Sequence, residues 1–190
     1  MSLLIESEVR ARANKGTTLY NTTANTLSEM LRKQASSDHH DIFLSHAYDD
    51  RQLILGVALM LEDLGYTVYL DWRDDPSLDR KNVSKETARR LRERMKTSKC
   101  LLFSTTQHST ESKWMPWELG FKDGEAGKAA ILPVSTFETE SYSGQQYLGL
   151  YPYVSRATVQ NGPVKLWVNW SPKVYCLFDS WLAGADPVEH

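Results

Sequence analysis

"DIFLSHA" at residues 41–47, followed by "YDDRQLILGVALMLEDLGY" at 48–66, decides the fold. The first stretch is a short apolar run that ends in small polar residues, the pattern of a buried strand feeding a loop. The second puts apolar residues at 53, 54, 57, 60, 61 and 64, the spacing of one helix face, and stops at Gly65. "TVYLDW" (67–72) then offers β-branched and aromatic residues for a second strand. A charged loop with Pro76 leads into "VSKETARRLRERMKTS" (83–98), an amphipathic helix with Ser84 as its N-cap and Thr87 where a capping box would want Glu or Gln. "KCLLFSTT" (99–106) is a third strand, "SKWMPWELG" (112–120) opens a helix ending near Gly124, and "AAILPVS" (129–135) is a fourth strand. "VKLWVNW" (164–170) is the expected fifth strand, and "PKVYCLFDSWLAG" (172–184) the closing helix, with Pro172 near its start and Gly184 past its end.

Strands alternating with helices predict an α/β domain with a central parallel five-stranded sheet and helices on both faces. Residues 39–190 form that domain. Residues 1–38 read as an N-terminal extension, rich in Thr, Asn, Ser and charge, with one docking helix through Tyr20, Ala24, Leu27 and Leu31. "QASSDHH" (34–40) is the expected linker.

Bulk composition removes several classes of function. The 190 residues suffice for one domain with a real core plus an appendage. The net charge of −2 gives no electrostatic footprint for nucleic acid or an acidic membrane surface. No apolar run approaches the roughly 18 residues of a membrane span. The start, "MSLLIESEVRAR", lacks the basic and apolar regions of a signal peptide. Cys100 and Cys176 both sit in apolar runs and read as free thiols in a reducing compartment. A cytoplasmic protein is expected.

In open α/β sheets, ligands bind beyond the carboxyl ends of the strands, where strand order reverses. For the flavodoxin-like order 2-1-3-4-5 the flanking loops are "SHAYDD" (45–50) and "STTQHSTESKW" (104–114), and the second leads to Glu118. Other chemistry lacks its motif. "GEAGK" (124–128) would need its first Walker glycine at Lys122, and no G-x-G-x-x-G follows the first strand. His39, His40 and the cysteines lack metal-ligand spacing, so no metal is expected. Ser45, His46 and Asp49 suggest a triad, but adjacent strand residues face opposite ways and no G-x-S-x-G elbow is present. "RRLRERMK" (89–96) is interrupted by Glu93 and reads as a solvated helix face.

Glu118 lies near a helix start, with Trp114 four residues earlier on the same face and Pro116 in the first turn. The residues support two readings. One is a helix-start carboxylate paired with a base, with Trp114 and Trp117 as plain core. The other is a carboxylate and indole that complement a cationic transition state, such as the oxocarbenium ion of glycosidic cleavage.

Together, "DIFLSHAYDD", "GYTVYLDW", "SKCLLFSTT" and "SKWMPWELG" resemble the prokaryotic Toll/interleukin-1 receptor (TIR) domain, well over roughly 41–135, and "GQQYLGLYPYV" (144–154) resembles the tail of stand-alone bacterial TIR proteins. The resemblance implies a flavodoxin-like TIR fold and cleavage of NAD+ at the nicotinamide–ribose bond. NAD+ is then a substrate, and no cofactor is implied. Glu118 maps onto the family's essential glutamate and Trp114 onto its aromatic neighbour. Ser45, His46 and Ala47 map onto the loop after strand one, and Asp71 and Trp72 are expected at the substrate. A gating and self-association loop maps onto about 72–83. The products would be nicotinamide with ADP-ribose, a cyclic isomer or a conjugate. The implied setting is Thoeris-like anti-phage signalling, with TIR–TIR association and an effector protein that senses the product. Three alternatives stand beside this reading. A non-catalytic TIR scaffold has no need to retain Glu118 with Trp114. A nucleoside deoxyribosyltransferase-like enzyme would share the sheet and a glutamate. A receiver domain would need an Asp at the end of strand three, where "CLLFSTT" has none.

Overall fold

Apolar runs become strands and periodic segments become helices in the computed structural model, which describes residues 1–22, 39–78, 84–144, 146–160 and 162–190. The strands are β1 (Leu4–Ile5), β2 (His40–Ser45), β3 (Val68–Tyr69), β4 (Ser98–Thr105), β5 (Ala129–Ser135), β6 (Tyr153–Thr158), β7 (Val164–Ser171), β8 (Val174–Leu177) and β9 (Val188–Glu189). The helices are α1 (Glu6–Thr22), α2 (Arg51–Asp63), α3 (Asp71–Asp74), α4 (Lys85–Lys96), α5 (Met115–Ala126) and α6 (Phe178–Leu182). Among the described residues they build one sheet in the order β3-β2-β4-β5-β6-β7-β8-β9, with β1 beside β5. The strands from β2 to β6 run parallel and follow the flavodoxin-like order, while β7, β8 and β9 add antiparallel.

Alternation along β2 assigns the two faces of the sheet. Ile42 and Leu44 pack with Leu53, Ile54, Val57 and Leu61 of α2, and with Phe178 and Trp181 of α6. Phe43 faces the other way, with Leu91 and Met95 of α4 and Met115 and Leu119 of α5. Both faces of the parallel strands are therefore dry, as such a sheet requires.

The start of the chain is part of this body. Leu4 and Val9 lie in the core beside Leu44 and Val57. β1 pairs with the carboxyl end of β5, through Leu4↔Val134, and Ser2 exchanges hydrogen bonds with Arg156 of β6. β5 and β6 themselves pair only at Ile131↔Tyr153, so β1 occupies the opening where they part. α1 then crosses α2 at Gly56, where an added Cβ would lie 2.1 Å from the Val9 carbonyl oxygen. Arg12 grips Asp63 with two hydrogen bonds, of 2.6 and 2.9 Å.

Several expectations need correction. The fifth parallel strand is β6, and "VKLWVNW" instead forms β7, which turns back against it. The expected closing helix is mostly a hairpin: Val174–Leu177 is β8, and only Phe178–Leu182 is helical. α5 runs past Gly124 to Ala126 and stops at Gly127, which takes the left-handed conformation (φ 59°) and donates its N–H to Asp123. The second strand is shorter than "TVYLDW", because Asp71–Asp74 folds into α3. The helix described near the N-terminus is Glu6–Thr22. Most of the expected Tyr20–Leu31 helix, most of the 34–40 linker and the 79–83 part of the gating loop lie outside the described residues. The N-cap at Ser84 forms as read, its Oγ accepting the Thr87 N–H at 3.0 Å.

One buried cation fixes α5. Lys122 is almost fully buried, and its Nζ donates to the carbonyls of Met95 (3.0 Å) and Ser98 (2.8 Å) and to Glu125 (3.1 Å). A lysine buried this deeply survives only when its donors are met. Here they bind a carbonyl in the last turn of α4 and one at the start of β4, tying α5 to both.

Candidate active site

The carboxyl ends of β2 and β4 lie side by side, with Ser45 opposite Phe103. β2 ends in Ser45 because the apolar run gives way there to small polar residues. α5 starts nearby, with Pro116 in its first turn and Ser112 Oγ accepting the Met115 N–H at 3.3 Å. Trp114 is the residue before the helix, and its carbonyl accepts the Glu118 N–H at 2.8 Å. This first turn points Glu118 at the end of β2. Ser45 Oγ donates to Glu118 Oε2 at 2.6 Å. Both side chains are 0% exposed.

A buried carboxylate is costly unless it is hydrogen-bonded, and Ser45 meets part of that demand. Trp114 is 8% exposed and packs edge-on against Trp117, with ring centroids 5.4 Å apart. Trp117 is half-buried, stacks on Phe121 and borders the same apolar cluster. Ala47 belongs to the cluster that holds Trp114 and Met115. Glu118, Ser45, Trp114 and Ala47 are thus gathered at one sheet end.

His46 and Asp71 form a second, adjoining pair. His46 Nδ1 lies 2.8 Å from the Leu44 carbonyl, which can only accept, so Nδ1 carries a hydrogen. His46 Nε2 lies 3.4 Å from Asp71 Oδ1, and both side chains are buried. The pair ties the end of β2 to the start of α3. Ser45, His46 and Asp49 form no triad, since Ser45 turns to Glu118 and His46 to Leu44 and Asp71. Trp72 packs on the opposite apolar cluster, with Leu53 and Leu70, so the structure does not group it with Trp114.

Asp75, directly after α3, ties the end of that helix to β3 and α4. Its carboxylate takes hydrogen bonds from Arg94 (2.7 Å), Arg90 (2.8 Å) and Tyr69 (2.9 Å). Burial opposes its charge, but these donors hold the Asp75 carboxyl below its ordinary range. Tyr142, from the tyrosine-rich stretch at 138–162, packs on Tyr153, and Tyr151 donates to Asp123 of α5 at 3.1 Å. That stretch covers the α5 side of the sheet.

Sequence reasoning missed one constellation in the same two loops. Asp50 is buried, accepts a hydrogen bond from Thr106 Oγ1 and lies 2.7 Å from His108 Nδ1. Its hydrogen bond and charge raise the His108 pKa above the ordinary value. Both residues lie in the loops that topology assigned to the crevice, but no spacing rule links position 50 to position 108.

Among the described residues, no group of three His, Cys, Asp or Glu side chains could hold a metal ion, and no helix is long and apolar enough to cross a membrane. Cys100 and Cys176 are free thiols, and burial pushes both upward in pKa.

Residues 42–159 match the family described as "TIR domain". The chain is 48% identical over 161 residues, covering 83% of each protein, to "Probable 3' cyclic ADP-D-ribose synthase ThsB'" of Bacillus cereus (strain MSX-D12). It is 36% identical over 90 residues to "Putative cyclic ADP-D-ribose synthase TIR2" of Cytobacillus dafuensis, covering 47% of this chain and 24% of that one.

Proposed function

This chain belongs to the TIR-domain family, and we propose that it cleaves NAD+ at the nicotinamide–ribose bond and closes the ADP-ribosyl unit into a cyclic product. The observation that carries this reading is the buried Ser45–Glu118 hydrogen bond at the carboxyl ends of β2 and β4, with Trp114 one helical turn before the carboxylate. Both relatives are named for cyclic ADP-D-ribose synthesis, which supports ring closure of an ADP-ribosyl unit.

In this mechanism nicotinamide stands beside the Trp114 indole. Glu118 orients the ribose hydroxyls and opposes the positive charge that grows at the anomeric carbon as nicotinamide leaves. A carboxylate removed from bulk water acts more strongly on that charge than an exposed one. Ser45 holds the carboxylate in place, so little reorganisation remains for the reacting state. Glu118 is fully covered in this structure, so substrate binding includes an opening of the crevice, and association between copies of the domain is the proposed means. The wider setting we propose is anti-phage signalling, in which an effector protein senses the product.

The scaffold reading draws on the same burial, since a site closed to substrate would also suit a domain that only associates. One experiment separates the two. Concentrated protein is incubated with NAD+ and free nicotinamide is measured by chromatography, for the wild type and for Glu118→Gln, which keeps the shape and a partner for Ser45. Release by the wild type and its loss in a cooperatively folded variant support the enzyme. No release by the wild type at any concentration, or full activity in Glu118→Gln, overturns it.

A further inference from the structure

The mechanism above gives the Asp50–His108 pair no part in breaking the first bond, yet the pair has the form of an oriented base. Asp50 is buried and accepts from Thr106 Oγ1 as well as facing His108 Nδ1 at 2.7 Å. A carboxylate can only accept, so Nδ1 carries a hydrogen and Nε2, across the ring, is left as the basic atom. A carboxylate that fixes the tautomer in this way is the orienting half of a general-base pair. The His108 side chain is 38% exposed while that of Asp50 is 8% exposed, so the anchor is covered and the imidazole reaches solvent.

The placement fits the chemistry. Asp50 lies in the loop leaving β2, five positions after Ser45, and His108 in the loop leaving β4, three positions after Thr105. These two loops flank the strand ends where Ser45 meets Glu118. For a 3′-linked ring, the product in the name of the Bacillus cereus relative, a ribose hydroxyl attacks the anomeric carbon once nicotinamide has left, and its proton has to go somewhere. Glu118 is buried, engaged with Ser45 and assigned to the cation.

We infer that His108, oriented by Asp50, is the general base that takes the proton from the attacking ribose hydroxyl in the ring-closing step. The inference rests on the NAD+-cleaving reading above. The carbon–nitrogen bond breaks and its electron pair leaves on nicotinamide, which departs neutral. The hydroxyl oxygen forms the new carbon–oxygen bond at the same carbon, and its proton passes to His108 Nε2 and then to solvent. The sum is NAD+ giving nicotinamide, a cyclic ADP-ribose and one proton. Water that reaches the cation can lose its proton to bulk solvent, whereas a ribose hydroxyl folded into the site cannot. His108 therefore favours the cyclic product over the linear one.

The charged groups acting on His108 are Asp50, first by its hydrogen bond and then by its charge, with Glu111 and Asp49 adding in the same direction and slight burial opposing. The cyclic share of the product should rise with pH as His108 loses its proton, at a pH above the ordinary histidine value near 6.5. Asp50→Asn removes the main cause of the upward shift and should move that rise to lower pH.

The test measures the ratio of cyclic product to nicotinamide released, from pH 5.5 to 9, which does not depend on how fast the first bond breaks. His108→Gln should lower the ratio about 100-fold and flatten its pH dependence. In His108→Ala, added imidazole should restore part of it. Asp50→Asn should shift the profile, and melting curves of each variant confirm folding. The inference is overturned if the ratio and its pH profile survive in His108→Gln, or if imidazole restores nothing in a folded His108→Ala. It also falls if the wild type releases nicotinamide but forms only linear ADP-ribose, an outcome that leaves the cleavage reading standing. A wild type that releases no nicotinamide refutes the cleavage reading first and this inference with it.

Discussion

Gly56→Ala tests how the start of the chain is held on the domain. A Cβ at this position would lie 2.1 Å from the Val9 carbonyl oxygen and 2.9 Å from the Val9 carbonyl carbon and Cγ1. Carbon–oxygen contact begins near 3.3 Å, so α1 would have to retreat by about 1 Å. Two relaxations compete. Sliding α1 as a body resembles overpacking a core, at about 1–3 kcal/mol. Undocking residues 1–16 exposes Leu3, Leu4 and Val9, at roughly 1.5–3 kcal/mol each before chain entropy is returned. Sliding is cheaper and should win. Alanine in a helix interior returns up to about 1 kcal/mol over glycine. The net expectation is a loss of about 1–2 kcal/mol, or roughly 2–8 °C in Tm for a chain of this size. Gly120 in α5 is the control, being exposed with nothing within 4 Å of an added Cβ. Gly120→Ala should therefore raise stability by about 0.5–1 kcal/mol. Thermal and urea denaturation of both variants, with amide exchange over residues 6–16, make the comparison. If Gly56→Ala matches or exceeds the wild type and exchange in α1 is unchanged, α1 does not cross α2 at Gly56.

Three more outcomes are expected. Ser45→Ala strips a hydrogen bond from the buried Glu118 carboxylate, a contact worth about 1.5–3 kcal/mol. Nicotinamide release should fall by about 10- to 100-fold with some loss of Tm, and unchanged kinetics would deny Ser45 its positioning role. His40 is buried, its ring nitrogens have no hydrogen-bond partner among the described residues, and burial holds its pKa below the ordinary value. The unfolded chain takes up a proton near pH 6.5 that the folded one refuses, so stability falls as pH drops below that value. His40→Leu should flatten this decline in urea titrations between pH 7 and 5, and a parallel decline would refute the assignment. Lys122→Met leaves the Met95 and Ser98 carbonyls without this donor, at about 3 kcal/mol, or roughly 6–12 °C in Tm. A variant as stable as the wild type would show that other donors replace it.

How much was legible depended on whether a feature was local. β2, β4 and β5 are buried on both faces, so they read as apolar runs, and α2 announced itself by apolar spacing and Gly65. Ser84 declared its helix start because the cap bond spans only three residues. β6 does not announce itself in the sequence, because "SRAT" at its end is polar and its strand character comes from pairing with β7. Val174–Leu177 reads as helix because Pro172 suits a first helical turn, yet tertiary pairing with β7 makes it a strand. At the candidate site, the aromatic setting and proline marked Glu118, and strand order put it at the crevice. The Ser45–Glu118 bond and the Asp50–His108 pair were not legible, because each joins segments that only the folded sheet brings together.

The wedge formed by residues 2–5 sets an order of events in folding. Their partners, Val134 on β5 and Arg156 on β6, are synthesised long after them. Closing so large a loop carries an entropic delay, and contacts of high sequence separation slow folding. α1 can meet α2 as soon as residue 63 is made, but β1 must wait for β5 and β6. The opening between those two strands should therefore close late, only after β5 and β6 are both in place. During that interval the unpaired edges of β1 and β5 are free to pair with another chain, which exposes this seam to aggregation when the protein is produced at high concentration.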